Sequence, residues 1–333
     1  MSVTISDIAK RAGVSHPVVS KVLHGGRSNV GVSEQTRLRI EKMARDLGYR
    51  PHAAGLALRQ RKHERIGVLV GGAEEAIHLP QATLAAMTAT LTQHNYTGAM
   101  VCSGALAKDD LLQSPLFRTS QLDGLIVSYA KEPNDQVLEA IESLGLPSIW
   151  INRALDHESV SMDEGNATRM LVEHLASRGY RKILFADYSC GLQTPHAMER
   201  FQAFERAAHE HDLEPSVMAS QAYERHERVD VTKQWMSRKH RPDAVIANSA
   251  KSAMAMLIAA MQMGLRVPED IAIATYDDGT FWNVPEPQLT AAVSPIFELG
   301  RVAAEMAVQK AKQPRKQLDS VLLPYELKIG GTT

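Results

Sequence analysis

Two rhythms of apolar and polar residues divide the chain. In the first fifty residues apolar positions recur three and four apart. Ile5, Ile8, Ala9 and Ala12 share one helical face, and Gly13 ends the run. Ser15 stands where the cap of a second helix belongs, able to accept an N–H from its first turn. Pro17 falls inside that turn, where a missing N–H costs little. Val18, Val19, Val22 and Leu23 make the inward face of the second helix. Two short helices on a glycine turn predict a helix-turn-helix, a unit whose second helix fits the major groove of DNA. Ser33 is placed to cap a third helix, Glu34 to Leu47, ended by Gly48, with Leu38, Met43, Ala44 and Leu47 as its expected core set.

From Arg65 onward the rhythm changes to short apolar runs separated by longer amphipathic ones. Strands are predicted at Ile66–Val70, Gly98–Cys102, Gly124–Ser128, Ser148–Ile151, Lys182–Phe185, Ala244–Ala247 and Ile271–Tyr276. Helices are predicted between them, at Leu79–His94, Gln136–Leu144, Gly165–Gly179, Met198–His211 and Ala250–Met263. Such alternation implies βαβ units and parallel sheets covered on both faces, with ligands at the C-terminal strand ends. The methionines at 254, 256, 261 and 263 are expected to pack a helix rather than line a site.

Charge sharpens this division. Over the whole 333-residue chain the net charge is only −1. Residues 1–65 nevertheless hold 13 Lys+Arg against 5 Asp+Glu, and the remainder 24 against 33, so a basic head precedes an acidic body. The two cysteines, Cys102 and Cys190, have no metal or redox spacing and are expected to be reduced. No signal-like N-terminal run and no apolar stretch of about 18 residues occurs, so a cytoplasmic location is expected. No phosphate-binding glycine loop, dinucleotide fingerprint or nucleophile elbow occurs, so neither a catalytic residue nor a cofactor is expected. His209-Glu210-His211-Asp212 and His226-Glu227 do not bring two imidazoles onto one helix face, and no metal site is expected.

Three head motifs occur in order: Thr4 to Leu23, Val32-Ser33-Glu34-Gln35-Thr36-Arg37, and Leu47-Gly48-Tyr49-Arg50-Pro51. Body motifs follow, among them Val160-Ser161-Met162-Asp163, Gly179-Tyr180-Arg181-Lys182-Ile183, Arg241-Pro242-Asp243-Ala244-Val245, Gly264 to Ala272, Tyr276-Asp277-Asp278, Pro287-Gln288-Leu289-Thr290 and Glu298-Leu299-Gly300. Together they resemble the lactose-repressor (LacI/GalR) family of bacterial transcription regulators over almost the whole length. The resemblance implies an all-α helix-turn-helix headpiece over 1–50, then a hinge helix and linker over 51–62. An α/β effector-binding and dimerisation body follows over 63–333, like periplasmic sugar-binding proteins. Its two doubly wound parallel-sheet subdomains would span about 63–160 with 293–319 and about 161–292 with 320–333, joined by crossovers near 160, 292 and 320.

The resemblance places the half-site readers on His16, Pro17 and Lys21, and includes Thr4 among the DNA contacts. His16 and Lys21 can donate to guanine or phosphate, and Ser15 and Ser20 can reach phosphates. Pro17 departs from a polar reader and offers only apolar contact. Arg27 and Asn29 lie in an extended loop that either adds contacts or is plain surface. Leu58 falls on the hinge leucine that wedges into the minor groove. In that segment His52 and Gly55 replace the usual asparagine and alanine, and glycine weakens a helix by about 1 kcal/mol. Effector contacts map onto Arg200, Asn248 and Asp277, and onto Ser128 and Asn152 at their strand ends. Trp282 either stacks on a sugar face or packs at the lip. Ser249 replaces a frequent aspartate, and Lys251 adds positive charge, which leaves an acidic or phosphorylated effector open.

The expectation is a dimeric, ligand-responsive regulator, more a repressor than an activator, on a pseudo-palindromic operator. Lys328–Thr333 carries no heptads, which favours a dimer over a tetramer. Two alternatives stay open within the effector chemistry: a neutral sugar that releases DNA, or a corepressor from nucleotide or phosphosugar metabolism. A sugar-binding transport protein would share the body but has no use for the basic head. An α/β enzyme would need a nucleophile, metal set or phosphate loop.

Overall fold

The computed structural model describes residues 3–24, 31–49, 62–71, 79–104, 112, 117, 121–129, 135–188, 192, 194–220, 224–277, 279–281 and 283–333. Arg27, Asn29, Trp282 and the hinge segment with Leu58 lie outside the described residues. The chain divides into two compact units, Met1–Glu64 and Arg65–Thr333.

The first unit is a three-helix cluster. Helix α1 (Ile5–Ala12) begins with a reciprocal cap: Asp7 N–H donates to Thr4 Oγ1 at 3.3 Å, and Thr4 N–H donates to Asp7 Oδ2 at 2.9 Å. Gly13 ends the helix at φ +63°, a left-handed conformation that suits glycine. Helix α2 (His16–His24) follows, and Ser33 caps α3 (Glu34–Asp46) by accepting the Thr36 N–H at 3.3 Å. Ile8, Val19 and Ile40, one from each helix, are fully buried at the centre. Leu38 is not part of that core: it is 54% exposed. It sits two residues, about 200° of helix, from Ile40, so the two side chains face opposite ways.

The Thr4–Asp7 bonds hold the Asp7 carboxyl below the usual carboxylate range. A lowered folded value means that this stabilisation is present above the ordinary pKa and fades as pH falls through the depressed one. Thr4→Ala removes the cap and is expected to lower the melting temperature of the head by about 4–8 °C. Thermal melts of residues 1–64 at pH 7 and pH 3 check both points, the difference between variant and parent narrowing at pH 3.

The second unit contains two six-stranded sheets. The first has the order β11-β5-β4-β3-β1-β2, with β1 Arg65–Gly71, β2 Thr97–Gly104, β3 Gly124–Tyr129, β4 Ser148–Ile151, β5 Ser159–Met162 and β11 Val321–Leu323, all parallel. The second has the order β12-β10-β9-β8-β6-β7, with β6 Lys182–Asp187, β7 Glu214–Ala219, β8 Ala244–Ala247, β9 Ala272–Asp277, β10 Thr290–Val293 and β12 Glu326–Lys328; only β12 is antiparallel to its neighbour. The central strands of both sheets are almost continuously buried, as helices on both faces require. Those helices are α4 Gln81–Gln93, α5 Asp135–Ser143, α6 Glu164–Ser177, α7 Pro195–Glu210, α8 Arg225–Met236, α9 Ala250–Gln262 and α10 Ile296–Lys312. Within α9, Met256 is fully buried but Met261 is 77% exposed, so the expected methionine packing fails at that position.

The chain passes between the sheets three times. From β5 it enters α6, whose Ala167, Leu171 and Val172 pack on the second sheet. From β10 it enters α10, whose Leu299, Ala303 and Ala304 pack on the first. The third passage, Pro324–Tyr325, joins β11 to β12. It lies beyond the expected position near 320 because Val321–Leu323 pair in parallel with Val160–Met162 and therefore belong to the first sheet. The same pairing keeps residues 161 and 162 there.

Gly300 makes the seat of α10 possible. A Cβ at this position would press into the Thr83 carbonyl of α4, well inside contact distance, while Thr83 Oγ1 donates to the Ile296 carbonyl at 2.9 Å. Gly300→Ala gains about 1 kcal/mol of helix propensity but meets about 1–3 kcal/mol of overpacking. A net loss of stability in urea unfolding is the expected outcome.

Candidate functional site

On α2 the helical period sends His16, Pro17, Ser20 and Lys21 to one side and Val18, Val19, Val22 and Leu23 to the other. His16 and Pro17 are exposed, Ser20 and Lys21 half-buried, and the valines and leucine join the headpiece core. Ser15 lies just ahead, and its carbonyl accepts the N–H groups of Val18 and Val19 at 3.0 and 3.3 Å. Five of the residues singled out for DNA contact thus gather around the first turns of a single helix. Thr4 stands at the start of α1 with its hydroxyl donating to Asp7 Oδ2 at 2.7 Å, so it carries a folding role.

In the body, a cavity of about 730 Å³ opens between the two sheets. That volume accommodates a small metabolite. Ser128, Asn152, Arg200, Asn248 and Asp277 all line it. Each sits where its element delivers it. Ser128 and Asp277 lie at the ends of β3 and β9, and Asn248 directly follows β8. Asn152 follows β4 at φ +58°, a conformation asparagine tolerates better than most residues. Arg200 is one turn into α7, whose first turn Thr194 caps.

Arg200 is the centre of a buried polar cluster. Its Nε donates to Glu164 Oε2 at 2.6 Å, Nη1 to the backbone and side-chain oxygens of Asn248 at 3.0 Å each, and Nη2 to the Tyr325 hydroxyl at 3.1 Å. The Tyr325 hydroxyl donates in turn to both Glu164 oxygens at 2.9 Å. The guanidinium lies 4.0 Å from the centroid of the Tyr276 ring, whose hydroxyl is 2.6 Å from Thr168 Oγ1. Asn248 Nδ2 extends the cluster to Asp187 Oδ1 at 3.3 Å.

Burial works against the charge on Arg200, but the Glu164 carboxylate outweighs it and raises the guanidinium pKa above its ordinary value. Burial pushes both the Tyr276 and Tyr325 hydroxyls upward, so they remain proton donors at neutral pH. Burial, helped by the charge on Arg200, draws the nearby His196 down to about 4, which leaves a neutral imidazole. At the rim, Glu199 is raised by partial burial and by the like charges of Glu164 and Asp163. This wall is rich in donors and acceptors, and the charge of Arg200 is met by Glu164, which suits it to hydroxyl and carbonyl groups. Lys251 lies at the exposed edge of the same cavity.

The pattern of the chain did not reveal Glu164, Tyr325 or His196. A carboxylate at the first position of a helix reads as a partner of the helix dipole. Nothing local announces that it meets Arg200, 36 residues on.

The family model for bacterial regulatory proteins of the lacI family matches residues 4–52, and that for the periplasmic binding protein-like domain matches residues 172–333. The chain belongs to the lacI family. Catabolite control protein A of Priestia megaterium is 25% identical over the full length of both proteins. The ribose operon repressor of Haemophilus influenzae is 26% identical over 96% of this chain and 95% of its own. Among solved structures, the lac repressor dimer bound to operator and the anti-inducer ONPF superposes with a TM-score of 0.84 at 22% identity, covering 100% of this chain and 99% of that one. A complex of the transcriptional regulator CelR with cellobiose gives 0.70 at 21% identity, covering 99% and 100%. As a lacI-family member the chain is a DNA-binding transcription regulator, not an enzyme, built of a helix-turn-helix head and a periplasmic-binding-protein-like body. Among the described residues no helix is long and apolar enough to cross a membrane.

Proposed function

We propose that this lacI-family regulator is a homodimeric repressor whose operator affinity is set by a sugar or sugar derivative in the body cavity. The observation that carries this is the gathering of five polar residues, from both halves of the body, around one cavity. Relatives named as a ribose operon repressor and as a cellobiose complex agree with that chemistry. Two heads then present His16, Pro17 and Lys21 to the halves of a pseudo-palindrome, with Ser15 and Ser20 on phosphates. Thr4, Arg27, Asn29 and Leu58 are the remaining DNA contacts in this scheme, and the site of action is the cytoplasm, where the DNA is.

Arg200, Asn248 and Asp277 face the effector from one half and Ser128 and Asn152 from the other; Trp282, outside the described residues, is the sixth effector contact in this scheme. A ligand bridging the halves fixes the angle between them. A coupling of about 1–3 kcal/mol, or about 5–150-fold in operator affinity, is enough to regulate. The neutral balance of Arg200 with Glu164 favours hydroxyls over a carboxylate or phosphate at that wall. The test is thermal melting with ribose, cellobiose, glucose 6-phosphate and adenosine. A neutral sugar should raise the melting temperature saturably, and Asp277→Asn should weaken it by about 10–150-fold, the worth of hydrogen bonds to a charged acceptor. Saturable binding of glucose 6-phosphate alone would move the effector to the phosphosugar class.

A further inference from the structure

Arg200 does more than line the cavity, because two of its partners, Glu164 and Tyr325, belong to the segments that join the halves. Glu164 immediately follows Asp163, where the chain leaves the first sheet for α6. Tyr325 lies in the two-residue passage from β11 to β12. These two passages already touch through the backbone, since Asp163 N–H donates to the Leu323 carbonyl at 2.9 Å. The side chains add a second, buried link: Tyr325 to Glu164, and Arg200 to both.

We propose that Glu164 and Tyr325 are positioning residues of the effector cavity. They hold the Arg200 guanidinium to the first and third passages, so that a group placed against Arg200 acts on both hinge strands together. This rests on the ligand-controlled function proposed above.

Three features of the geometry support the assignment. First, the guanidinium is fixed in plane by four acceptors and from one face by the Tyr276 ring, so it is a rigid lever rather than a swinging side chain. Second, the Arg200 and Glu164 side chains are 11% and 6% exposed, so water does not screen the bond between them. Third, the second passage has a parallel device. Ser294 donates its N–H at 2.9 Å and its hydroxyl at 3.1 Å to the carbonyl of Asp277, which also lines the cavity. All three passages are therefore bonded to a cavity-lining residue.

The test is amide hydrogen exchange on the full-length protein, comparing Tyr325→Phe and Glu164→Gln with the parent. Tyr325→Phe removes one hydroxyl and keeps the ring, and Glu164→Gln keeps the shape and removes the charge. Exchange around residues 162–166 and 322–327 should rise together, by about fivefold or more, in either variant, while β6 and β8 stay within about twofold. Tyr188→Phe is the control for loss of a buried hydroxyl elsewhere. Tyr188 is 2.7 Å from Thr232 and accepts from Trp235 at 2.9 Å, away from the passages, and its loss should leave both passages unchanged. A rise confined to the substituted segment, no rise at all, or an equal rise in Tyr188→Phe would overturn the assignment. Operator affinity measured on the same variants separates the two levels. Joint exchange with a changed affinity supports the lever acting on DNA binding. Joint exchange with unaltered affinity leaves the tie between the passages standing and counts against cavity-controlled DNA binding.

Discussion

Arg200→Met should destabilise the body by about 3–5 kcal/mol in urea unfolding, among the largest effects of any single substitution in this chain. The size follows from what is left behind. Glu164 remains buried with a hydrogen bond from Tyr325 but no counter-charge, and Asn248 loses the donor to its side-chain oxygen. The ion pair itself need not contribute much to stability, because desolvating two charges offsets most of their attraction. The double variant Arg200→Met, Glu164→Leu should therefore recover most of the loss. A single-variant loss below about 1 kcal/mol, or a double variant worse than the single, would contradict the account of the cluster. Even where the body remains folded, Arg200→Met should abolish the response of operator affinity to effector.

Lys21→Ala should act in the first unit, on DNA binding. Lys21 shares the outward face of α2 with His16, Pro17 and Ser20, opposite the buried Val19. A base contact from that face is worth about 1–3 kcal/mol, or about 5–150-fold in operator affinity. Effector-induced melting shifts should stay at the parent value. The two ways a lysine meets DNA give different signatures. If it reads a base, the loss depends on the base pair in the half-site. If it meets a phosphate, the loss is uniform across sequences and the salt slope falls by about 1. An unchanged affinity for every duplex would remove α2 from the interface.

How much of this was legible in the sequence varied with the physics of each part. The head was readable because a three-helix cluster is specified locally: apolar period, caps and Gly13 all lie within a few residues of what they fix. Leu38 was the exception: Ile40, Met43, Ala44 and Leu47, three and four residues apart, mark the inward face, and Leu38 points away from it. The strands β1 to β4, β6, β8 and β9 were readable as apolar runs, but β5, β7, β10, β11 and β12 were not. β7, Glu214–Ala219, is mostly exposed and begins Glu-Pro, while β11 and β12 have three residues each, too short to show a period. Helix α8, Arg225–Met236, mixes polar and apolar residues without a clear stripe.

The cavity residues were legible only through motif resemblance and strand-end position, which bring Ser128, Asn152, Arg200, Asn248 and Asp277 into one site. Glu164 and Tyr325 were not, because their partnership depends on contacts 36 and 125 residues from Arg200 along the chain. Long-range polar pairing leaves no local trace.

The most direct test of the central claim is selection of bound fragments from random duplex DNA by the full-length protein, followed by competition with ribose and cellobiose on the winning duplex. Two inverted half-sites at fixed spacing are expected, bound more weakly by Lys21→Ala, with release or tightening on addition of a sugar that also raises the melting temperature. Failure to enrich any sequence over the random pool, with and without those sugars, would contradict a regulator that reads a palindromic operator.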